Sequence, residues 1–323
     1  MQELADEFAA HRGHLTGVAY RMLGSRADAE DAVSEAWLRC AGALGDPAAR
    51  AKVRDLRGWL TTTVGRICLD VLRSARVRRE AYVGQWLPEP VVSRLPGVAA
   101  TIDGPVLLPP ADAAAFAPDP AARAELTDEV GMALLVVLER LTPEQRVAFV
   151  LHDVFAVPFA EIAAVLGGTA AAARQLATRA RRAVAVGGVR HTAPLPEQRR
   201  VVAAFLAAAQ SGDLAGLLAV LAPDVQAIGD GGGVAPAARR PVTGAEQVAR
   251  FMAGLFRRGV RELRRRSVEP VLINGSLGLL AEAEYPDGAT LRFTVAFAIH
   301  DGRITGVFNQ LNPAKLTGLP PSG

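Results

Sequence analysis

Apolar residues recur every three or four positions along several stretches of the first 184 residues, which is the spacing of one face of an α-helix. After residue 268 the pattern changes to four short strand-like runs. Asn-Gly or Asp-Gly pairs separate these runs, and such pairs favour hairpin turns. The pattern therefore predicts helical domains first and an antiparallel sheet afterwards.

Two helices joined near Gly24 are predicted in the first 42 residues. Phe8, Leu15, Val18, Ala19 and Met22 lie on the inner face of the first helix. The second helix, from Asp28 to Cys40, has an inner stripe of Ala29, Ala32, Val33, Ala36 and Trp37. Its start and its outer face are acidic, with Asp28, Glu30, Asp31 and Glu35. Acid near a helix N-terminus is favourable in itself, so this placement also has a purely structural interpretation.

A further helix is predicted from residue 56 to residue 80. Its apolar face comprises Trp59, Leu60, Val64, Ile67, Cys68, Val71 and Leu72. Arginines dominate the remaining surface, namely Arg57, Arg66, Arg73, Arg76, Arg78 and Arg79. A row of arginines suits the neutralisation of single-stranded phosphates.

Residues 141 to 184 predict a helix-turn-helix. Thr142 to Gln145 has the form of a capping box with proline at the first helical position. Pro158 opens a short second helix, Gly167 and Gly168 break it, and Thr169 caps a third helix. That helix has an apolar stripe of Ala173, Leu176, Ala177, Ala180 and Val184. Its other side carries Arg174, Gln175, Thr178, Arg179, Arg181 and Arg182. Arg and Gln can pair with base edges, so this is a candidate recognition helix, the alternative being a solvated basic helix in a bundle.

Residues 81 to 129 are a linker by composition, rich in proline, glycine and alanine. Such a segment is expected to be extended and weakly structured. Trp86, Leu87 and Pro88 form an apolar patch within it and indicate a docking segment.

The last part of the chain predicts three helices followed by the strands, an α+β arrangement with the sheet curled around the long helix into a cone. Val248, Phe251, Met252 and Leu255 are expected on the inner face of that helix. Asp224, Asp230, Glu284 and Tyr285 are candidates for acid–base chemistry, but they form no recognisable catalytic constellation.

The composition shows that positive charge is concentrated in parts of the chain. The 323 residues carry a net charge of +3 with a pI of about 9.2, and the arginines are clustered, which points to a local nucleic-acid footprint. Cys40 and Cys68 fit a reducing compartment, and the five histidines form no metal signature. No apolar run is long enough for a bilayer, so a cytoplasmic protein that contacts no membrane is expected.

Several motifs resemble one known family. The run from Ala19 to Arg39, with its Asp-Ala-Glu-Asp core and Trp-Leu-Arg end, is similar to sigma-70 region 2.1–2.2. Residues 56–80 look like regions 2.3–2.4 and residues 141–184 like region 4. Trp-Leu-Pro-Glu-Pro at 86–90 and a SnoaL-like, NTF2-like segment after residue 197 complete the pattern. The chain thus resembles extracytoplasmic-function sigma factors that carry a C-terminal SnoaL-like domain.

This resemblance implies four segments: region 2 at 1–80, the linker at 81–129, region 4 at 130–190 and the SnoaL-like domain at 197–316. It implies core RNA polymerase as a partner, through the β′ coiled coil and the β flap, and promoter DNA at its −10 and −35 elements. The core-binding residues would be Asp28, Asp31, Glu35 and Trp37. The −10 element would be contacted by Arg66, Arg73, Arg76, Arg78 and Arg79, and the −35 element by Arg174, Gln175, Thr178, Arg179, Arg181 and Arg182.

In this family the extra domain is thought to regulate the sigma activity in cis. The regulatory contact would use Trp86, Leu87, Pro88, Asp230, Gly231, Gly232, Gly233, Asn312, Pro313 and Lys315. Val234 and Ala314 depart from the family motifs, and each departure removes a charge.

No catalytic residue, cofactor or metal ligand is assigned from the sequence. A small ligand bound in the C-terminal cone remains open as a further partner. Two other functions stay open. One is a helix-turn-helix transcription factor that senses a ligand, and the other is a SnoaL-like enzyme fused to a DNA-binding module. The acidic helix at 28–39 argues against the first alternative, because an operator-binding factor needs no region 2.

Overall fold

The computed structural model describes residues 1–80, 82–106, 108, 131–186 and 193–320, with the backbone alone at residues 75–80 and 186. The described residues form two compact units. The helical unit lies within Met1–Ala81 and Val137–Gly187, and the sheet unit lies within Tyr82–Val136 and Gly188–Gly323. The described part of the linker, residues 82–106 and 108, therefore belongs to the same unit as the C-terminal sheet.

The helical unit is built from short connections between amphipathic helices. Its elements are α1 (Gln2–Leu23), α2 (Arg26–Leu44), α3 (Pro47–Arg50), α4 (Leu56–Glu80), α6 (Pro143–Phe149), a π-helical turn (Val150–Val154), α7 (Phe159–Leu166) and α8 (Ala170–Val186). α5 (Met132–Leu138) contains the boundary between the two units. α1 ends at Gly24 in the left-handed conformation, and the Ser25 side chain then caps α2. The predicted joint near Gly24 is confirmed.

The predicted inner faces of the first helices are buried. Phe8, Leu15 and Met22 of α1 are at most 7% exposed, and the small residues of the α2 stripe at most 2%. Trp37, however, is only half-buried, with its ring 5.2 Å from that of Phe8. Small residues on α2 let α1 pack closely, and the larger indole stays at the edge of that contact.

Local capping signals fix the helix-turn-helix. The Thr142 hydroxyl accepts the N–H of Gln145 at 3.3 Å, and the Gln145 side chain accepts the N–H of Thr142 at 3.1 Å. Gly167 ends α7 with φ 69°, and the Thr169 hydroxyl accepts the N–H of Ala172 at the start of α8. The predicted capping box, glycine break and third-helix cap are confirmed.

In the described residues, the sheet unit contains an eight-stranded sheet and three α-helices besides the start of α5. The helices are α9 (Leu195–Ser211), α10 (Leu214–Val220) and α11 (Ala245–Glu262). The strands are β1 (Val92–Arg94), β2 (Thr101–Ile102), β3 (Leu221–Asp230), β4 (Val242–Thr243), β5 (Arg265–Ile273), β6 (Ser276–Glu284), β7 (Thr290–His300) and β8 (Arg303–Gln310). Their order is β1-β5-β6-β7-β8-β3-β4, with β2 also paired to β5.

The meander β5–β8 is antiparallel, as predicted, and its turns fall at the predicted pairs. Asn274 and Asp301 have positive φ, as do the glycines that follow them. β3 was not predicted, and it pairs in parallel with β8. This pairing brings the end of β3, at Asp230, beside the end of β8, at Gln310.

One predicted core position is wrong, because Leu255 is 43% exposed. The buried stripe of α11 contains Val248, Ala249, Met252 and Ala253. It is rotated toward the alanines, which allow close packing of the helix on its neighbours. The sequence prediction considered only large apolar side chains, and it therefore placed Leu255 on the buried face instead of the alanines.

The expectation of a weakly structured linker is wrong over its described part. β1 and β2 of the linker both pair with β5, in antiparallel register. Leu95 joins the core between the sheet and α9–α11, whereas Leu87 joins a second apolar cluster that contains Met132, Val136 and Phe308. The linker therefore contributes to two separate apolar clusters of the sheet unit.

Two kinds of feature are missing from the described ranges. None of their helices combines the length and apolar composition that a membrane span needs. In the same ranges no three His, Cys, Asp or Glu side chains are grouped as metal ligands.

Candidate functional site

The candidate recognition helix α8 presents the predicted polar face. Ala173, Ala177 and Ala180 are buried, and Leu176 and Val184 are half-buried. The exposed residues are Arg174, Gln175, Arg179, Arg181 and Arg182, and Thr178 is half-buried with its hydroxyl bonded to the carbonyl of Arg174.

Two arginines of α8 have protein partners. Both Nε and a terminal nitrogen of Arg181 donate to one oxygen of Asp153, at 2.9 and 2.7 Å. The guanidinium of Arg174 lies over the ring of Phe159, 5.2 Å from its centre. Arg181 is thus held by the turn before α7, and Arg174 is oriented by the first residue of α7.

The arginines of α4 are also engaged. Arg66 donates to the carbonyl of Ala164 in α7 at 3.0 Å, and Arg73 donates twice to Glu144 in α6, at 3.0 and 3.1 Å. Burial raises the pKa of Glu144, but its backbone hydrogen bond and Arg73 outweigh this and lower it overall. The side chains of Arg76, Arg78 and Arg79 lie outside the described residues.

A buried arginine that the sequence reasoning missed joins the N-terminal helices to the helix-turn-helix. Arg146 is 2% exposed and donates to the carbonyls of Leu138 and Met22, each at 2.8 Å, and to Glu139 at 2.6 Å. Phe155 adds an edge contact to His14, with ring centres 5.2 Å apart. The helix-turn-helix therefore packs on α1 and α4 within the helical unit.

α2 presents an acidic surface with an apolar residue beside it. Asp28, Asp31 and Glu35 are exposed, and Glu35 pairs with Arg39 one turn later. Leu38 is 70% exposed, next to the half-buried Trp37. The sequence reasoning did not single out Leu38, although its neighbours bury the opposite face of the helix.

Three sequence motifs meet around Asp230, whose side chain is fully buried at the end of β3. One carboxylate oxygen accepts the hydroxyl of Tyr82 at 2.6 Å and the N–H of Gly232 at 3.0 Å. The other accepts the N–H of Leu87 at 2.9 Å and the ammonium of Lys315 at 2.7 Å. We call Asp230, Tyr82, Leu87, Lys315, Gln310 and Asn312 the docking network.

Lys315 links all three motifs. Its ammonium donates to Asp230 and to the carbonyl of Leu87, both at 2.7 Å, and lies 3.9 Å from the centre of the Trp86 ring. Gln310 donates to the carbonyls of Leu87 and Pro88, at 3.3 and 3.2 Å. These contacts satisfy the backbone of an extended segment that would otherwise bury unpaired polar groups.

The glycine loop permits a close approach of the C-terminal segment. Gly232 has φ 60°, and a Cβ there would lie 2.5 Å from the amide of Asn312. Asn312 in turn donates to the hydroxyl oxygen of Tyr82 at 2.8 Å. Burial, then the hydrogen bond and charge of Asp230, raise the pKa of Tyr82, so its hydroxyl stays protonated and donates to Asp230.

Both departures from the family motifs lie outside this network. Val234 is 81% exposed and Ala314 is exposed, whereas the ion pair is made by Asp230 and Lys315. Pro313 is exposed in a short 3₁₀ turn that the Asn312 side chain caps. Sequence reasoning missed Tyr82 and Gln310. The available signal was a tyrosine just before the Trp-Leu-Pro segment and a polar residue at the end of a strand.

The candidate acid–base residues are not brought together. Asp224 is exposed, Asp230 is paired with Lys315, and Glu284 is paired with Arg264. β7 and β8 separate β3, which carries the two aspartates, from β6, which ends at Glu284 next to Tyr285.

Three family models match the chain: Sigma-70 region 2 at residues 8–78, Sigma-70 region 4 at residues 131–184 and the SnoaL-like domain at residues 202–307. ECF RNA polymerase sigma factor SigJ of Mycobacterium tuberculosis is 44% identical over 97% of this chain and 93% of its own length. The probable ECF RNA polymerase sigma factor SigI of the same species is 41% identical over 67% of this chain and 66% of its own.

A solved structure agrees with this comparison. The crystal structure of M. tuberculosis extracytoplasmic function sigma factor SigJ matches with a TM-score of 0.73 and 40% identity, and covers 98% of this chain and 100% of that one. The predicted fold class, two helical sigma domains followed by an α+β NTF2-like domain, is confirmed. The chain belongs to the family of ECF RNA polymerase sigma factors and carries a SnoaL-like domain after region 4.

Proposed function

We propose that this sigma factor directs core RNA polymerase to promoters in the cytoplasm, and that docking of its linker on the SnoaL-like domain controls this activity in cis. α8 contacts the −35 element, α4 contacts the −10 element, and the acidic face of α2 binds core polymerase. The observation that carries the regulatory part is the buried docking network around Asp230, which joins the linker to both C-terminal motifs.

The packed helical unit is too small to span a promoter. A unit of about 130 residues is roughly 35 Å across. The −35 and −10 elements are about 25 base pairs apart by their numbering, or roughly 85 Å at about 3.4 Å per base pair. In this unit Arg66 of α4 bonds to α7, so the two DNA-binding helices must separate before both elements are contacted.

Linker docking opposes this separation. Leu87 lies shortly after the end of region 2, Met132 and Val136 lie at the start of region 4, and these three residues share one apolar cluster. A released linker of about 50 residues would have a root-mean-square span of roughly 40 Å and would extend much further when stretched. Docking therefore shortens the distance that the linker can span between regions 2 and 4, and promoter binding requires the longer span.

Transcription with purified core polymerase tests this function. Lys315→Met removes the ammonium that bridges Asp230 and Leu87, so it should release the linker and raise transcription from a −35/−10 promoter. Asp224→Asn, an exposed carboxylate on the same strand as Asp230, is the matched control and should leave transcription unchanged. Equal transcription by Lys315→Met and wild type, once linker release is demonstrated by hydrogen exchange, would contradict the regulatory proposal.

A further inference from the structure

A cavity of about 770 Å³ opens in the sheet unit between α11, β5 and the linker. α11 lines it from Gly254 to Glu262, β5 with Arg266 and Val268, and the linker with Thr101 and the turn from Asp103 to Val106. Small-molecule sites typically have volumes of about 300–1,000 Å³. The cavity is thus large enough for an organic ligand, and one of its walls is the linker.

This cavity is positively charged. Among the described residues, four arginines and two carboxylates line it: Arg257, Arg258, Arg261, Arg266, Asp103 and Glu262. Glu262 is paired with Arg258 at 2.7 Å, and an oxygen of Asp103 accepts the backbone N–H of Arg266 at 2.7 Å. The other three guanidinium groups have no ion-pair partner in the part of the chain that the structure describes.

Helix electrostatics do not account for this arrangement. The helix dipole favours cations in the last turn of α11, which contains Arg261. Arg257 lies before that turn, and Arg266 lies on β5, outside the helix. Arg257 and Arg261 are four residues apart on one helix, where like charges repel. A bound anion would relieve this repulsion.

Apolar side chains complete the lining. Phe256, Val106 and Val268 line the cavity and pack against the core between the sheet and its helices. An apolar floor below several guanidinium groups fits a molecule with an apolar body and one anionic head. The planar fork of arginine suits a carboxylate or phosphate head.

We infer that this cavity binds an organic anion with an apolar body, and that the bound anion holds the linker in its docked position. Thr101 pairs with Val268, and the N–H of Asp103 donates to the carbonyl of Arg266 at 2.9 Å, so the linker is hydrogen-bonded to a cavity-lining strand. A ligand that needs this wall binds the docked form more tightly and stabilises it by the same factor. The effect on transcription, unlike the binding itself, rests on the proposed function.

Calorimetric titration of the full-length protein tests the ligand class with three probes: decanoate, decanol and inorganic phosphate. Decanoate should bind at least about tenfold more tightly than either of the others, because only it uses both the guanidinium groups and the apolar floor. Equal binding of decanol or of phosphate would overturn the inference.

Variants locate the site. Arg266→Gln keeps the backbone bond to Asp103 and should weaken decanoate about tenfold. A Cβ at Gly254 would meet no heavy atom within 4 Å, so Gly254→Leu should fill the cavity, favour the helix and abolish binding without loss of folding. Arg250→Gln, on an exposed arginine of the same helix outside the cavity lining, is the matched control and should bind as wild type does.

Two outcomes would overturn the site. One is undiminished decanoate binding by both Arg266→Gln and Gly254→Leu. The other is loss of promoter-DNA affinity by Arg266→Gln with decanoate binding intact, which would assign these arginines to nucleic-acid phosphates.

Coupling is measured separately, by hydrogen exchange of the Leu87 and Asp103 amides with and without decanoate. Slower exchange with decanoate is expected in wild type and not in Gly254→Leu. Binding without slower exchange would overturn the coupling. Binding with slower exchange but unchanged transcription would instead contradict the proposed function and leave the ligand site in place.

Discussion

Replacing Asp230 with asparagine isolates the electrostatic part of linker docking. The carboxylate accepts five donors. One oxygen accepts the Tyr82 hydroxyl and the Gly232 N–H, and the other accepts the Leu87 N–H, the Lys315 ammonium and, at 3.4 Å, the Gln310 amide. Asparagine has the same shape but offers only one oxygen. Whichever way its amide is oriented, the NH₂ group faces at least two donors, and the buried ammonium loses its counter-ion.

The size of the effect follows from the burial of this pair. Asp230 is 0% and Lys315 10% exposed, and breaking a buried ion pair from one side costs about 3–5 kcal/mol. Lys315 keeps its bond to the Leu87 carbonyl and its contact with the Trp86 ring, which favours the lower end of that range. A loss of about 3 kcal/mol shifts the docking equilibrium by roughly a hundredfold toward the released linker.

Hydrogen exchange of the Leu87 amide measures this shift directly, because the amide donates to Asp230 itself. Asp230→Asn should accelerate its exchange about a hundredfold, while amides in the centre of β7 keep their protection. Asp224→Asn should leave both unchanged. In a double-mutant cycle the losses from Asp230→Asn and Lys315→Met should be far from additive. Additive losses, or a Leu87 amide that exchanges within about threefold of the wild-type rate, would refute the reasoning.

Two predictions concern the sigma regions. Arg179→Ala should weaken binding to −35 duplex by about 1–3 kcal/mol and relax its sequence preference, as measured by salt-controlled titration, whereas equal binding across sequences would remove α8 from the recognition role. Glu35→Lys should reduce co-purification with core polymerase while DNA binding persists. Its control is Glu246→Lys, which breaks a similar exposed pair on α11 and should co-purify normally.

The features that were predicted from sequence depend on short-range chemistry. The capping box at Thr142 and the glycine break at Gly167 each need only a few neighbouring residues to specify their geometry. The turns at Asn274 and Asp301 need a residue that tolerates positive φ, and glycine follows in both cases. Such signals are complete within the local sequence.

The features that were missed depend on distant partners. β3 is buried along most of its length and lacks the alternation of a half-exposed strand, since it lies inside the sheet between β8 and β4. β1 and β2 have three and two residues and pair with a strand more than 160 residues later in the chain. No local pattern encodes a pairing of this kind.

The docking network likewise contains some residues that the sequence predicts and others that only the fold brings together. Family motifs pointed to Trp86, Asp230 and Lys315, and the structure brings them together. The partners that complete the network, Tyr82 and Gln310, come from outside those motifs, because a buried carboxylate recruits whichever donors the fold places beside it.

Loss of the Asp230–Lys315 ion pair and binding of a cavity ligand change the free energy of linker docking by similar amounts. Neither change alone converts a fully docked population to a fully released one, or the reverse. Moving a two-state equilibrium from 1:99 to 99:1 takes about 5.5 kcal/mol of differential free energy. Loss of the Asp230–Lys315 pair supplies about 3 kcal/mol toward release, and a cavity ligand at one hundred times its Kd supplies about 2.7 kcal/mol toward docking. Either change therefore moves the linker only part of the way. Under the proposed function, binding of core polymerase and promoter DNA to the separated sigma regions supplies the rest of the free energy for release. Under the proposed function, docking of this strength would make the sigma regions responsive to a ligand without holding them permanently together.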